Sequence, residues 1–307
     1  MTPLERLLIV NADDYGLTKG VSRAILQAHH EGIVTSTSVL AVAPGFKPTA
    51  GWLRDTESIG VGAHLAAVGE DPPLLSALEV PTLVDGQGRL ATSWRTFLPR
   101  MAARQIDPDD LRLEFAAQIE RLRQAGLTPT HVDTHQHVHL WPGVADVVLD
   151  LAVENGIPAV RVTRSASLSP VGLVVRRLAA GLARRADQRG LRHTEAGSGL
   201  DHAGKLDAER MRRTIARLGT GAGAGGGPRT AEIGTHPGQP GDPDLERYAW
   251  GYRWADELAA LTDPAIRAAV AGAGFTLGTY ADLPPARTLP GIAVHMATAR
   301  RGRSRGA

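Results

Sequence analysis

The 307-residue chain is long enough for one large, well-filled α/β domain, and no linker divides it into two self-sufficient halves. It contains no cysteine, which excludes disulfides, thiolate zinc sites and a cysteine nucleophile and leaves Asp, Glu and His as the strong metal ligands. Its formal charge of +2 belongs to one end: residues 285–307 hold Arg287, Arg300, Arg301, Arg303 and Arg305 without an acid, leaving 29 basic against 32 acidic side chains elsewhere. No aromatic-interleaved basic patch accompanies those arginines, so nucleic acid is not an expected partner, and residues 286–307 are expected to be a basic, flexible tail behind a single domain at 1–285. The N-terminus lacks a basic leader followed by an apolar run, and no stretch is apolar enough to span a bilayer, which predicts a cytoplasmic protein without a membrane partner.

Leu7–Val10 is a short apolar run ending in NADDYG, followed by Val21, Ala24, Ile25 and Ala28 at helical spacing behind Thr18 as N-cap. Thr35–Val42 and Ile59–Leu65 read as further strands because β-branched and apolar residues crowd them. Leu111, Phe115, Ile119 and Leu122 mark one face of a helix over Asp107–Gln124, which stops at Gly126 before a strand around His131–Asp133. Pro142 opens a helix carrying Val144, Val147, Val148 and Leu151 on one stripe, and Ala159–Thr163 returns as strand. Strands at Thr230–Gly234 and Phe275–Tyr280 and helices near Ala208–Leu218 and Trp254–Val270 complete the alternation. Gly219–Gly227 contains a G-x-G-x-x-G match, but it follows a helix and precedes a strand, the reverse of a dinucleotide loop, and reads as a flexible connector. The alternation predicts an irregular or incomplete (β/α) barrel of mostly parallel strands, with an open doubly wound sheet as the alternative.

The polar residues gather where strands end. His131, Asp133, His135, His137 and His139 alternate with Val132, Thr134, Gln136 and Val138, so in an extended segment five polar side chains share one side. Burying them unpartnered would cost about 1–3 kcal/mol per group, and a metal held by one or two of the histidines, with the others behind, answers that cost. Asp13 and Asp14 follow a strand directly, so one can bind metal while the other acts as base, although paired acids also mark ordinary loops. His64 ends a strand too, where a lone histidine is more often a hydrogen-bonded core residue. His236, fixed between Thr235 and Pro237, is a candidate proton donor, while Glu232 orients a partner or closes a salt bridge. Tyr15 and Trp141 are candidates for stacking on a bound ligand, with core packing as the alternative; Trp250 and Trp254 read as core.

The ordered series LLIVNADDYGLTKG, GIVTSTSVL, GVGAHL, PTHVDTHQHVHLWP, EIGTHPG and GFTLGTYADL resembles the YdjC-like carbohydrate deacetylases, the family containing chitooligosaccharide deacetylases. The resemblance runs from Leu7 to Leu283 and is poorest over residues 165–230 and in the run after His64. It implies an irregular (β/α) barrel and one divalent metal ion, Mg or Zn, held by Asp14, His64 and His135. Asp13 is then the base that activates water and His236 the acid that protonates the leaving amine, with the two aspartates open to exchange. Asp133, His137, His139, Tyr15, Trp141 and Glu232 would support these residues or contact substrate. The expected substrate is an N-acetylated sugar or oligosaccharide, no organic cofactor is needed, and homo-oligomerisation is left open. The alternatives are a non-catalytic metal- or carbohydrate-binding protein on the same scaffold, and a metal hydrolase acting on another C–N or ester bond.

Overall fold

A computed structural model describes residues 6–220 and 227–286. Strand β1 (Arg6–Tyr15) leads into helix α1 (Lys19–His30), whose first turn is closed by the Thr18 side chain accepting from the Val21 amide at 2.9 Å. There follow β2 (Ser36–Val39), α2 (Phe46–Arg54) and β3 (Gly60–Leu65), then α3 (Trp94–Ala102), α4 (Pro108–Gln124), β4 (His131–Thr134) and α5 (Pro142–Glu154). The second half runs β5 (Ala159–Val160), α6 (Pro170–Gln188), β6 (Ala196–Ser198), α7 (Ala208–Gly219), β7 (Thr230–Thr235), α8 (Trp254–Thr262), α9 (Pro264–Gly272) and β8 (Phe275–Leu277). None of the described helices is long and apolar enough to cross a membrane.

Every paired strand is parallel, in the order β5-β4-β3-β2-β1-β7-β6, and β8 pairs with the N-terminal part of β1. The sheet curls until its edges share one segment: Arg192 exchanges backbone hydrogen bonds with Pro158 and Val160 beside β5, and Glu195 then bonds to Thr230 of β7. An open doubly wound sheet would keep those edges apart, so the architecture is the irregular, incompletely closed (β/α) barrel.

Alternation along β1 sorts its side chains. Leu8, Val10 and Ala12 join the main core, whereas Ile9 belongs to a separate small cluster with Ala159, Tyr280 and Leu283 on the other face. Above that apolar floor the interior turns polar, and this is where the strand ends converge.

Three expectations about elements are corrected. The extended run does not continue from His131 through His139: β4 stops at Thr134, and residues 135–140 form a tight turn with Gln136 and His137 at φ 52° and 54°. The helix expected over Trp254–Val270 is two, because Pro264 holds Asp263 in an extended conformation (ψ 119°) and the Asp263 carboxylate caps α9 by accepting from the Ala265 amide. The strand expected at Ala159–Thr163 keeps only its first two residues. Residues 221–226 of the glycine-rich connector and residues 287–307 of the basic tail lie outside the described residues.

Candidate metal centre and active-site cleft

The first strand ends in a left-handed kink. Strict alternation would send Asp13 and Asp14 to opposite faces, but Asp14 takes φ 69° and the β1–β2 register shifts between Ala12 and Tyr15. Both carboxylates therefore reach the polar interior, each with its own partners. Asp14 Oδ1 lies 3.4 Å from His64 Nε2 and accepts from His135 Nδ1 at 3.1 Å. Asp13 Oδ2 lies 3.6 Å from His236 Nε2, and both Asp13 oxygens are 2.7 Å from Arg161 Nη1.

β3 and β4 are adjacent in register, so His64 sits opposite Asp133. Asp133 Oδ1 accepts from His64 Nδ1 at 2.7 Å, which fixes the ring and leaves Nε2 aimed at Asp14. The other Asp133 oxygen takes Arg161 Nη1 at 2.8 Å and Ser38 Oγ at 3.1 Å. Burial alone would lower the His64 pKa, but the charge and hydrogen bond of Asp133, followed by the contact with Asp14, push it up to about 10. Burial raises Asp14, yet the hydrogen bonds and charges of His135 and His64 hold it below the usual carboxylate range.

Asp14, His64 and His135 offer one ligand atom each within 4.8 Å of one another, and all three side chains are buried. Donors bound to one cation at about 2.0–2.2 Å lie roughly 3–3.5 Å apart along the edges of a coordination polyhedron, which matches the 3.1 and 3.4 Å separations from Asp14. The charge balance agrees: Asp13, Asp14, Asp133 and Glu232 are buried together, and Arg161 is the buried guanidinium that meets three of them. Uncompensated buried carboxylates are costly, and a divalent cation relieves that cost. The residues therefore fit a divalent metal.

His236 directly follows β7, and its amide donates to Glu257 Oε2 at 2.6 Å, so a carboxylate from α8 fixes its backbone. Its Nδ1 is buried and takes no hydrogen bond within the protein. These residues line a cleft of about 280 Å³ shared with Trp94, Arg95, Gln136, His137, Trp250 and Tyr252. Trp250 packs 5.2 Å from the His135 ring and Tyr252 packs edge-on 4.9 Å from His236.

The remaining expected residues divide. Asp133 stands directly behind His64, and Glu232 lies 2.5 Å from Arg161 Nε. His137 lines the cleft and pairs with Thr163 Oγ1 at 3.1 Å. His139 is buried away from the cleft between Thr134 Oγ1 and the Arg161 carbonyl, and burial pushes its pKa down to about 4. His131 stacks on Tyr280 at 3.8 Å and is pushed down to about 3 by burial. Tyr15 is fully buried and donates to the Thr49 carbonyl at 2.8 Å, so it cannot stack on a ligand in the cleft. Trp141 lines a neighbouring groove instead.

Trp250 is corrected from core to cleft wall, while Trp254 is buried as expected. Sequence reasoning passed over Arg161, Tyr252 and Glu257. A charge set between Val160 and Val162 in an apolar strand end was the available signal for Arg161; the two others carry no local pattern that distinguishes them.

Comparison with known proteins agrees with this geometry. The family model described as YdjC-like protein matches residues 7–272. A carbohydrate deacetylase of Geobacillus stearothermophilus is 32% identical over 280 residues, covering 90% of this chain and 98% of that one. A chitooligosaccharide deacetylase of Klebsiella pneumoniae is 32% identical over 286 residues, covering 91% and 100%. Among solved structures, a candidate cellobiose-phosphate cleavage protein of Enterococcus faecalis V583 superposes with a TM-score of 0.73 at 25% identity, covering 90% of this chain and 98% of that one. With its strand ends, its ordered motifs and these matches in agreement, the chain belongs to the YdjC-like protein family.

Proposed function

We propose that the chain is a metal-dependent carbohydrate deacetylase, which takes an N-acetylated sugar and water and yields acetate and the free amino sugar. One observation carries the reading: Asp14, His64 and His135 converge within reach of one cation, beside Asp13 and His236 in the same cleft. The relatives named as carbohydrate and chitooligosaccharide deacetylases support the same reaction.

A divalent cation held by Asp14, His64 and His135 would supply a Lewis acid for the acetyl carbonyl and acidify water, and one oxygen with two imidazole donors suits Zn and admits Mg. The chain's own residues move the protons. Asp13 accepts one from the attacking water, with Asn11 Nδ2 and Arg161 Nη1 fixing its carboxylate at 2.7 Å. His236 Nε2 donates one to the departing nitrogen, which makes an amine a tolerable leaving group. Asp13 is chosen over Asp14 as base because Asp14 faces both histidines. Trp250 and Tyr252 give the cleft an apolar wall against which a sugar ring packs.

The test is acetate release from a panel of N-acetylated sugars by protein dialysed against chelator and then reloaded with Zn²⁺ or Mg²⁺. Release that depends on the metal supports the reading. Folded, metal-loaded protein that frees no acetate from any of them overturns it, and ammonia or an alcohol as the product would point to another C–N or ester bond.

A further inference from the structure

We infer that the groove between α3 and α6 binds an aliphatic aglycone, so that the natural substrate is an N-acetylated sugar carrying a hydrocarbon chain; this rests on the deacetylase reading above. The groove has a volume of about 830 Å³, well above that of the cleft, and the two share Trp94, Arg95, Gln136, His137 and Leu200 as a common wall. A substituent leaving the cleft past those residues enters the groove. There it meets Leu98 and Pro99 from α3, Val174, Val175 and Leu178 from α6, and Trp141.

Arg95, Gln136 and His137 make the wall shared with the cleft polar, but past that wall the serines and Asp201 of the groove are occupied with one another. Ser165 Oγ donates to Asp201 Oδ1 at 2.5 Å, the Ala166 amide donates to Asp201 Oδ2 at 2.7 Å, and Ser167 Oγ donates to Ser169 Oγ at 2.9 Å. A second sugar ring seated past the shared wall would strip water from its hydroxyls and meet few free partners, whereas methylene groups lose nothing by leaving water. The rim points the same way. Of the eight large apolar side chains exposed among the described residues, Val171 and Val174 line the groove, and Leu168 and Leu173 neighbour them in sequence at the start of α6 and just before it. Such clustering marks a surface that is covered in use, and its continuity with the catalytic cleft names the substrate's own tail as the cover.

The test compares kcat/KM for the methyl, octyl and dodecyl glycosides of N-acetylglucosamine, all below their micelle concentrations, and for diacetylchitobiose. The octyl glycoside is expected to exceed the methyl glycoside by about tenfold or more, since each buried methylene is worth roughly fourfold, and diacetylchitobiose to gain no such advantage. Val174→Glu, at a side chain 56% exposed, should bring the octyl-to-methyl ratio toward one. Saturable quenching of tryptophan fluorescence by the octyl but not the methyl glycoside gives a second readout, lost in the same variant. A flat ratio together with no quenching, a preference for diacetylchitobiose, or a dimer that Val174→Glu converts to monomer overturns the inference. If no acetamide is hydrolysed at all, the deacetylase reading falls, and the quenching still decides what the groove holds.

Discussion

The two halves of the cleft are built differently although they start from adjacent residues. On the side of β3 and β4, Asp14, His64 and His135 touch one another, with contacts from Asp14 of 3.4 Å or less, and the support behind them is a single carboxylate, Asp133. On the side of β5 and β7, Asp13 and His236 stand 3.6 Å apart, and each is held by a charged group from elsewhere: Arg161 for the carboxylate and Glu257 for the histidine backbone. On the proposed function, the first half would share one cation among its donors, and the second would keep a base and an acid near each other without joining them, which suits two proton transfers at opposite ends of one bond.

That contrast gives three measurements, the first with the largest effect. His64→Ala or His135→Ala is expected to abolish metal occupancy and activity together, whereas Asp13→Asn and His236→Ala should retain the metal and lose about 10²–10⁴ in kcat. Metal content by plasma emission, read beside acetate release, separates the halves, and equal metal loss in all four variants would erase the distinction. A smaller effect is expected from Asp133→Asn, which keeps an acceptor for His64 Nδ1 but removes the charge behind the ring and should weaken metal affinity about 10–100-fold by calorimetry.

A separate effect, on stability rather than on turnover, comes from beneath the cleft. His131 and His139 are buried neutral with pKa values near 3 and 4, depressed below the unfolded value of 6.5. Between those values the unfolded chain binds protons that the native one refuses, so stability rises with pH through the window and is lost as pH falls from about 6.5 toward 4. Each histidine contributes up to about 1.4 kcal/mol per pH unit there. Urea unfolding of the chelated protein at several pH values reads that slope, and His139→Gln should flatten it.

Much of this was legible in the sequence because parallel strands of a barrel are short apolar runs and their C-terminal ends expose whatever follows. Asp13, His64 and His236 each close such a run. The cluster after His131 was visible as a cluster, but its shape was not: alternation predicts one face, whereas the positive φ angles of Gln136 and His137 are local choices that no period announces. Arg161 was hidden because its partners Asp13, Asp133 and Glu232 lie far from it along the chain, and only folding makes it their common counterion. Trp250 and Tyr252 sit in an irregular connection, where hydrophobic periodicity has nothing to say.

Glu257 accepts from the amides of both His236 and Leu206, so one helical carboxylate ties the cleft histidine after β7 to the approach to α7. The side chains proposed to hold the cation or move protons, Asp13, Asp14, His64, His135 and His236, and Asp133 and Arg161 behind them, are all in hand by residue 236. The shortest working fragment must nonetheless run past 257, and on to 277 if β1 is to keep its flanking strand β8.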